Sequence, residues 1–517
     1  MIKRLLLTLG VILAGCQTAA ERAQDDREKA APELNLAGTI YAGVQQGATE
    51  AFLGVAFAQP PVGEHRWAAP RPIKQAVTGS VDASRYAPAC MQGPHIVKWY
   101  RSVIESFGGE PESFTAPPVS EDCLYLNVWR PTGTSASEKL PIYVFIHGGS
   151  NKGGWAYEPN YHGDKLAARG AIVITIAYRL GVFGYFANPD LEQVNFGLLD
   201  QIAALRWIQQ HARQLGGDPD NITVSGESSG ASNIAYLLAS PLARGLFQKV
   251  VHQSAGWAMQ GGNALQPAQK LAQQLSDALL PGVDNGVAEL RQLPAQAVLS
   301  AAEVTYKDHF FDPLIDGHSV VNSVPEVAAN GGLAPVDMIV GSNANEALMY
   351  LDAGQSLDQL IDSIGAADRT SQIKTLLAAA ASEVAAKDRL ASAANYACPS
   401  LLLADAVEHN GGRVWMYYFA RQRSGPQGAL MGAYHGIELP YIFATHDHWL
   451  PTDAADLVIT NAMADYWLAF MQSGDPNTKQ RHRWPAYAKM NPQVLNLATP
   501  ISSQQHPDRV LCSLLNR

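Results

Sequence analysis

In Ile222-Thr223-Val224-Ser225-Gly226-Glu227-Ser228-Ser229-Gly230-Ala231-Ser232 a short apolar run gives way, across two glycines, to a helical pattern. Ile222 to Val224 has the brevity and β-branching of a strand buried on both faces. Ser232 to Ala239 reads as a helix, closed by Ser240-Pro241. The residues between them, Gly226 to Gly230, form a G-x-S-x-G pattern. Chance alone gives ~0.2 such matches in a chain this long, so the pattern carries weight only through its surroundings. A sharp strand-to-helix turn is what exposes a serine hydroxyl as a nucleophile at the top of a sheet. Glycines relieve the crowding of such a turn, and the helix N-terminus sets positive dipole beside it.

Working outward, other apolar runs bounded by turn residues read as buried parallel strands: Ile142 to Ile146, Ala171 to Ala177, Met338 to Val340 and Val414 to Phe419. Leu199, Ile202, Ala203, Leu205 and Ile208 recur at helix spacing, and Gly216-Gly217 ends that run. Strands alternating with helices predict an α/β protein with a doubly wound, mostly parallel central sheet. The Ala-, Leu- and Gln-rich segments 260–300 and 355–410 read as helical insertions.

A serine hydroxyl needs a base and a group to orient that base. In this fold class they follow in the order serine, acid, histidine. After Met338 to Val340 comes the polar loop Gly341-Ser342-Asn343-Ala344-Asn345-Glu346; after Val414 to Phe419 comes a loop with Tyr434-His435-Gly436. Both follow strand ends, where open α/β sheets place their sites. Spacing alone leaves Asp316 open as the acid, and His409 and His446 open as the base. Upstream, Pro141 to Ile146 runs into His147-Gly148-Gly149-Ser150, a turn able to aim backbone N–H groups at a developing oxyanion.

The chain resembles the type-B carboxylesterases and lipases, the group that includes acetylcholinesterase. The resemblance rests on Phe52-Leu53-Gly54-Val55-Ala56-Phe57-Ala58-Gln59-Pro60-Pro61-Val62-Gly63 and Glu121-Asp122-Cys123-Leu124-Tyr125-Leu126-Asn127-Val128. It continues through Tyr178-Arg179-Leu180-Gly181-Val182-Phe183-Gly184, Gly216-Gly217-Asp218-Pro219-Asp220-Asn221, Gly474-Asp475-Pro476-Asn477 and Trp484-Pro485. It implies an α/β-hydrolase domain over 34–517 that hydrolyses small-molecule carboxylic esters through a Ser228 acyl-enzyme, with Glu346 and His435 completing the triad. It also implies oxyanion donors from the backbone N–H groups of Gly149, Ser150 and Ser229. The family usually has a third glycine at the position of Ser150 and an alanine at that of Ser229. Neither departure removes a donor, but Ser150 adds a Cβ beside the acyl site. By the same resemblance Glu227 is buried and steadies His435. Other readings of this fold are a catalytically silent adhesion module, which commonly lacks part of the triad, and a lipase with a moving lid.

With a formal charge of −10 and no basic run, the composition argues against a nucleic-acid partner. The chemistry calls for no cofactor, and His446-Asp447-His448 lacks a third metal ligand at recognisable spacing. Residues 1–15 read as an export signal: Lys3 and Arg4 precede an apolar stretch, Leu5 to Leu13, too short to span a bilayer. That stretch ends in Leu13-Ala14-Gly15-Cys16, which resembles the lipobox of bacterial lipoproteins and implies a lipidated Cys16, with Gln17 favouring the outer membrane. Residues 16–33 read as a charged tether, so any membrane contact is expected through this anchor alone. Four cysteines remain, an even number that suits two disulfides in an exported protein. The family resemblance assigns Cys90 to Cys123, on a loop carrying Trp99 and Tyr100, and leaves Cys398 with Cys512 by exclusion.

Overall fold

The computed structural model describes residues 31–73, 77, 79–261, 264–283 and 286–515. The expected export signal, Cys16 and all but the last residues of the expected tether lie outside them. Eleven strands form the central sheet: β1 (Val44–Gln46), β2 (Thr49–Ala56), β3 (Tyr125–Pro131), β4 (Leu140–Ile146), β5 (Ile172–Ile176), β6 (Gly217–Glu227), β7 (Lys249–Gln253), β8 (Asp337–Asn343), β9 (Val414–Phe419), β10 (Gln493–Leu497) and β11 (Ser502–Gln505). Their spatial order is β11-β10-β9-β8-β7-β6-β4-β5-β3-β2-β1. From β5 to β10 every pairing is parallel, and the ladder turns antiparallel at both margins. This is the α/β-hydrolase architecture that the sequence predicts.

Each predicted strand is present: those at 142–146, 222–224 and 338–340 extend beyond their apolar runs, Val414–Phe419 matches its run, and Ile172–Ile176 is one residue shorter at each end than the run from Ala171 to Ala177. β2, β3 and β7 escape the hydrophobic pattern because their buried faces carry polar residues. Glu50 on β2 meets Arg130 on β3 at 2.9 Å, and Asn127 donates to Thr175 Oγ1 at 3.1 Å. β7 contains Lys249, His252 and Gln253, all buried.

Successive side chains of a strand point to opposite faces, and helices cover both. Helices α1 (His95–Ser106), α2 (Phe196–Leu215), α3 (Ser229–Ala239), α4 (Cys398–His409), α5 (Leu439–Phe443) and α6 (Ala454–Ser473) are the ones that matter here. On one face Leu205 of α2, Ile234 of α3 and Leu403 of α4 join Ile142, Val144 and Val224 in one core. On the other, Ile459, Met463 and Trp467 of α6 pack with Tyr143, Phe145 and Ile339. The helix after β6 begins at Ser229, three residues earlier than the sequence pattern indicates. Segments 260–300 and 355–410 are largely helical, as expected.

The structure pairs Cys90 with Cys123 and Cys398 with Cys512. The first bridge closes the loop that holds α1. No helix among the described residues is long and apolar enough to cross a membrane.

Candidate active site

The turns after β4, β6, β8 and β9 converge at one end of the sheet. Ser228 sits between β6 and α3 with φ 55° and ψ −129°. A side chain held there costs of order 1–3 kcal/mol, and the surrounding packing must impose it. Gly230 shows how tight that packing is, since a Cβ on it would lie 2.1 Å from the carbonyl oxygen of Ile146. The strain turns the serine side chain away from the sheet and into a cavity of about 750 Å³.

His435 and Glu346, which spacing could only nominate, meet across 89 positions: His435 Nδ1 lies 2.7 Å from Glu346 Oε2. The other carboxylate oxygen of Glu346 accepts the Asn343 backbone N–H at 2.6 Å. Asn345 stitches the two loops together, donating its N–H to the carbonyl of Ala433 and accepting the Ala433 N–H on Oδ1. His435 Nε2 faces the same cavity as Ser228 and lies 3.2 Å from Glu227 Oε1.

The rival residues lie elsewhere in roles of their own. Asp316 closes a turn, accepting the N–H groups of His318, Ser319 and Val320 and bonding Asn195. His409 is exposed at the end of α4. His446 is fixed between Arg423 and Thr460, and burial lowers its pKa to about 4.

Gly149, Ser150 and Asn151 form a run of positive φ, at 105°, 58° and 52°. The position where the resemblance expects a third glycine is therefore one that L-residues rarely adopt, and Ser150 takes it nonetheless. The N–H groups of Gly149, Ser150 and Ser229 meet no protein acceptor among the described residues. Gly149 and Ser150 line the cavity with Ser228 and His435. Backbone donors left without a protein acceptor beside a cavity can hold negative charge on a substrate oxygen.

Of the wall residues, the resemblance points only to Trp99 and Tyr100, while Tyr350 and Tyr396 carry no sequence signal. Trp99 and Tyr100 come from the Cys90–Cys123 loop, Tyr350 follows the acid loop, and Tyr396 sits on a π-helical turn at Ala393–Ala397. Tyr396 packs its ring 5.1 Å from that of His435. Glu438 lies behind the site, fully buried, accepting from Asn343 Nδ2 at 2.6 Å and Gln253 Nε2 at 3.1 Å. Its one legible cue is position: it stands three residues after His435.

The comparisons with known proteins agree over nearly the whole chain. Residues 34–514 match the model of the carboxylesterase family. The chain belongs to that family. Para-nitrobenzyl esterase of Bacillus subtilis (strain 168) is 30% identical over 491 residues, covering 90% of this chain and 94% of its own. Phenmedipham hydrolase of Pseudarthrobacter oxydans is 32% identical over 475 residues, covering 86% and 90%. Among solved structures, a PNB esterase superposes with a TM-score of 0.81 at 28% identity, over 93% of this chain and 99% of the other. The protein is a carboxylesterase, and carboxylic-ester hydrolysis is its activity.

Charge in this carboxylesterase site is dominated by burial. Desolvation pushes the Glu227 carboxyl upward, against the pull of His435, and lifts Glu438 to about 7. Burial lowers His435, but Glu227 and Glu346 outweigh it and hold the imidazole above its ordinary 6.5. A histidine base works only when neutral, so a raised pKa brings protonation, and loss of rate, at higher pH than an isolated histidine would. Were His435 the base, the acid limb of kcat/KM would have its midpoint above the ordinary histidine value of 6.5. Glu227→Gln removes an acidic neighbour, lowers the imidazole pKa and shifts that limb toward lower pH. An unmoved limb in the variant would show that Glu227 does not tune the base.

Proposed function

We propose that the enzyme hydrolyses its ester through a covalent acyl-enzyme on Ser228. His435 Nε2 takes the hydroxyl proton as Oγ attacks the carbonyl carbon, and Glu346 holds Nδ1–H and stabilises the imidazolium. The tetrahedral oxyanion lies against the N–H groups of Gly149, Ser150 and Ser229. Its collapse expels the alcohol, which leaves with the proton from His435. Water then repeats the sequence, losing its proton to His435 and releasing the carboxylic acid and free Ser228. The observation that carries this reading is the strained Ser228 turn opening into the same cavity as a histidine tied to a buried carboxylate at 2.7 Å.

The cavity walls favour apolar ester groups. Trp99, Trp257, Tyr350, Leu360 and Tyr396 line it, and every charged side chain on the lining other than histidine is a carboxylate: Glu158, Glu227 and Asp352. Neutral esters with an aromatic part suit this surface, and the para-nitrobenzyl ester named for the Bacillus relative is the natural first probe. A short-chain nitrophenyl ester mixed with enzyme in stopped flow should give a burst of one nitrophenolate per site, followed by slower turnover. Acid quench during the steady state should leave the acyl mass on the peptide containing Ser228. A linear time course with no acylated peptide would rule the covalent route out.

We further propose that Cys16 is lipidated and tethers the enzyme to a membrane, on the strength of Leu13-Ala14-Gly15-Cys16. Cys16→Ala should move the protein from the membrane pellet to the soluble fraction. Unchanged pelleting would mean that Cys16 is not the anchor.

A further inference from the structure

The oxyanion loop poses a mechanical problem. Two of its three left-handed residues carry side chains, and such backbone persists only where neighbouring contacts over-determine it. A preorganised hole also needs its donors fixed before the reaction begins.

Asn151 supplies the fixing. It is wholly buried, and each of its polar groups is engaged. Its N–H donates to Ser229 Oγ at 3.1 Å, and its carbonyl accepts the Gly181 N–H at 2.6 Å. Its Nδ2 donates to the carbonyl of Phe311 at 2.6 Å. Its Oδ1 accepts from Asn233 Nδ2 at 2.9 Å and from the Tyr178 hydroxyl at 3.3 Å. One residue thus joins the oxyanion loop to α3, to the segment after β5 and to the irregular segment that contains Phe311. The bond to Ser229 matters most, because Ser229 follows the nucleophile directly and contributes a proposed oxyanion donor through its own N–H. It spans the two halves of the hole.

We propose that Asn151 and the Ser229 hydroxyl form a latch that sets the spacing between the Gly149–Ser150 donors and the Ser229 donor. Both act as positioning residues, since neither side chain touches the reacting atoms. The proposal rests on the acyl-enzyme reading given above. It assigns the Ser229 hydroxyl a role that its backbone N–H does not cover.

Two variants test it. Ser229→Ala keeps the oxyanion N–H and deletes the acceptor for Asn151. Asn151→Gly keeps the N–H bonded to Ser229, suits the positive φ, and deletes the side-chain bonds to Phe311, Asn233 and Tyr178. Active sites are counted by burst titration, so that unfolded material does not enter the rates. Ser229→Ala is expected to lower kcat about tenfold with KM nearly unchanged, the loss of one net hydrogen bond expressed only in the transition state. Affinity for a trifluoromethyl ketone, whose hemiketal oxygen occupies the hole, should fall by the same factor. Affinity for the corresponding alcohol should not. Asn151→Gly should show the same split, and the double variant should be no slower than the product of the two falls, because both loosen one latch.

A lower melting temperature with kcat and ketone affinity both within twofold of the parent would make these residues structural only and overturn the proposal. If Ser229→Ala does not fold, the same readouts on Asn151→Gly decide. Failure of the underlying reading is distinguishable, since the parent enzyme would then show no burst at all.

Discussion

Ser228→Ala is expected to reduce ester hydrolysis by about 10⁵–10⁶-fold in kcat, the scale seen when an acyl-transfer nucleophile is deleted. The prediction is sharp because the substitution changes so little else. Ser228 already carries a Cβ in the left-handed elbow, with φ 55°, and alanine keeps that Cβ. The strain is imposed by contacts such as Gly230 against Ile146, not by the hydroxyl. Ser228 accepts the Ser232 N–H and donates its own N–H to the carbonyl of Gln253 through backbone atoms, and both bonds survive. The melting temperature should therefore stay close to that of the parent while the nitrophenolate burst disappears. A small residual rate over water, from the oxyanion donors and binding alone, is compatible with this picture. A preserved burst with full amplitude would show that another residue is acylated.

The reach of the sequence can be judged from the same residues. Ser228 is legible because the G-x-S-x-G pattern follows the apolar run Ile222 to Val224, and Glu346 and His435 are legible as candidates because their loops follow the apolar runs Met338 to Val340 and Val414 to Phe419. Their union is not: nothing in the spacing says that position 435 reaches position 346 and that Asp316 closes a turn on Asn195 instead. The family resemblance supplied that choice, and the disulfide pairing Cys398–Cys512, separated by 114 positions, came only by exclusion. β2, β3 and β7 stayed hidden because Glu50, Arg130 and Lys249 interrupt their apolar runs. Each finds a polar partner only once the sheet is assembled. Asn151 was invisible for a related reason. Its partners at 178, 181, 229, 233 and 311 share no periodicity with it, and an asparagine after Gly-Gly-Ser reads as an ordinary turn.

Glu346→Gln is expected to cost about 10⁴-fold in kcat with little change in fold, the loss typical when the orienting carboxylate of such a triad becomes an amide. The geometry says why an isosteric change does so much. Glu346 Oε1 accepts the Asn343 N–H at 2.6 Å, and a glutamine must keep an acceptor there, because leaving that buried N–H unpaired would itself be costly. Its carbonyl oxygen therefore takes the Oε1 position, and its NH₂ group is turned toward His435 Nδ1. An NH₂ can only donate, so a neutral imidazole must leave Nδ1 bare and carry its proton on Nε2. That tautomer cannot accept the Ser228 proton. The variant also loses the charge that stabilises the imidazolium, so the two losses act in one direction. Asp316→Asn makes the control. It alters a turn that accepts three backbone N–H groups, so it should lower the melting temperature while leaving kcat within a few-fold of the parent. The opposite ranking, with Asp316→Asn the slower enzyme, would transfer the acid to position 316. It would leave the 2.7 Å contact between Glu346 and His435 without a catalytic consequence.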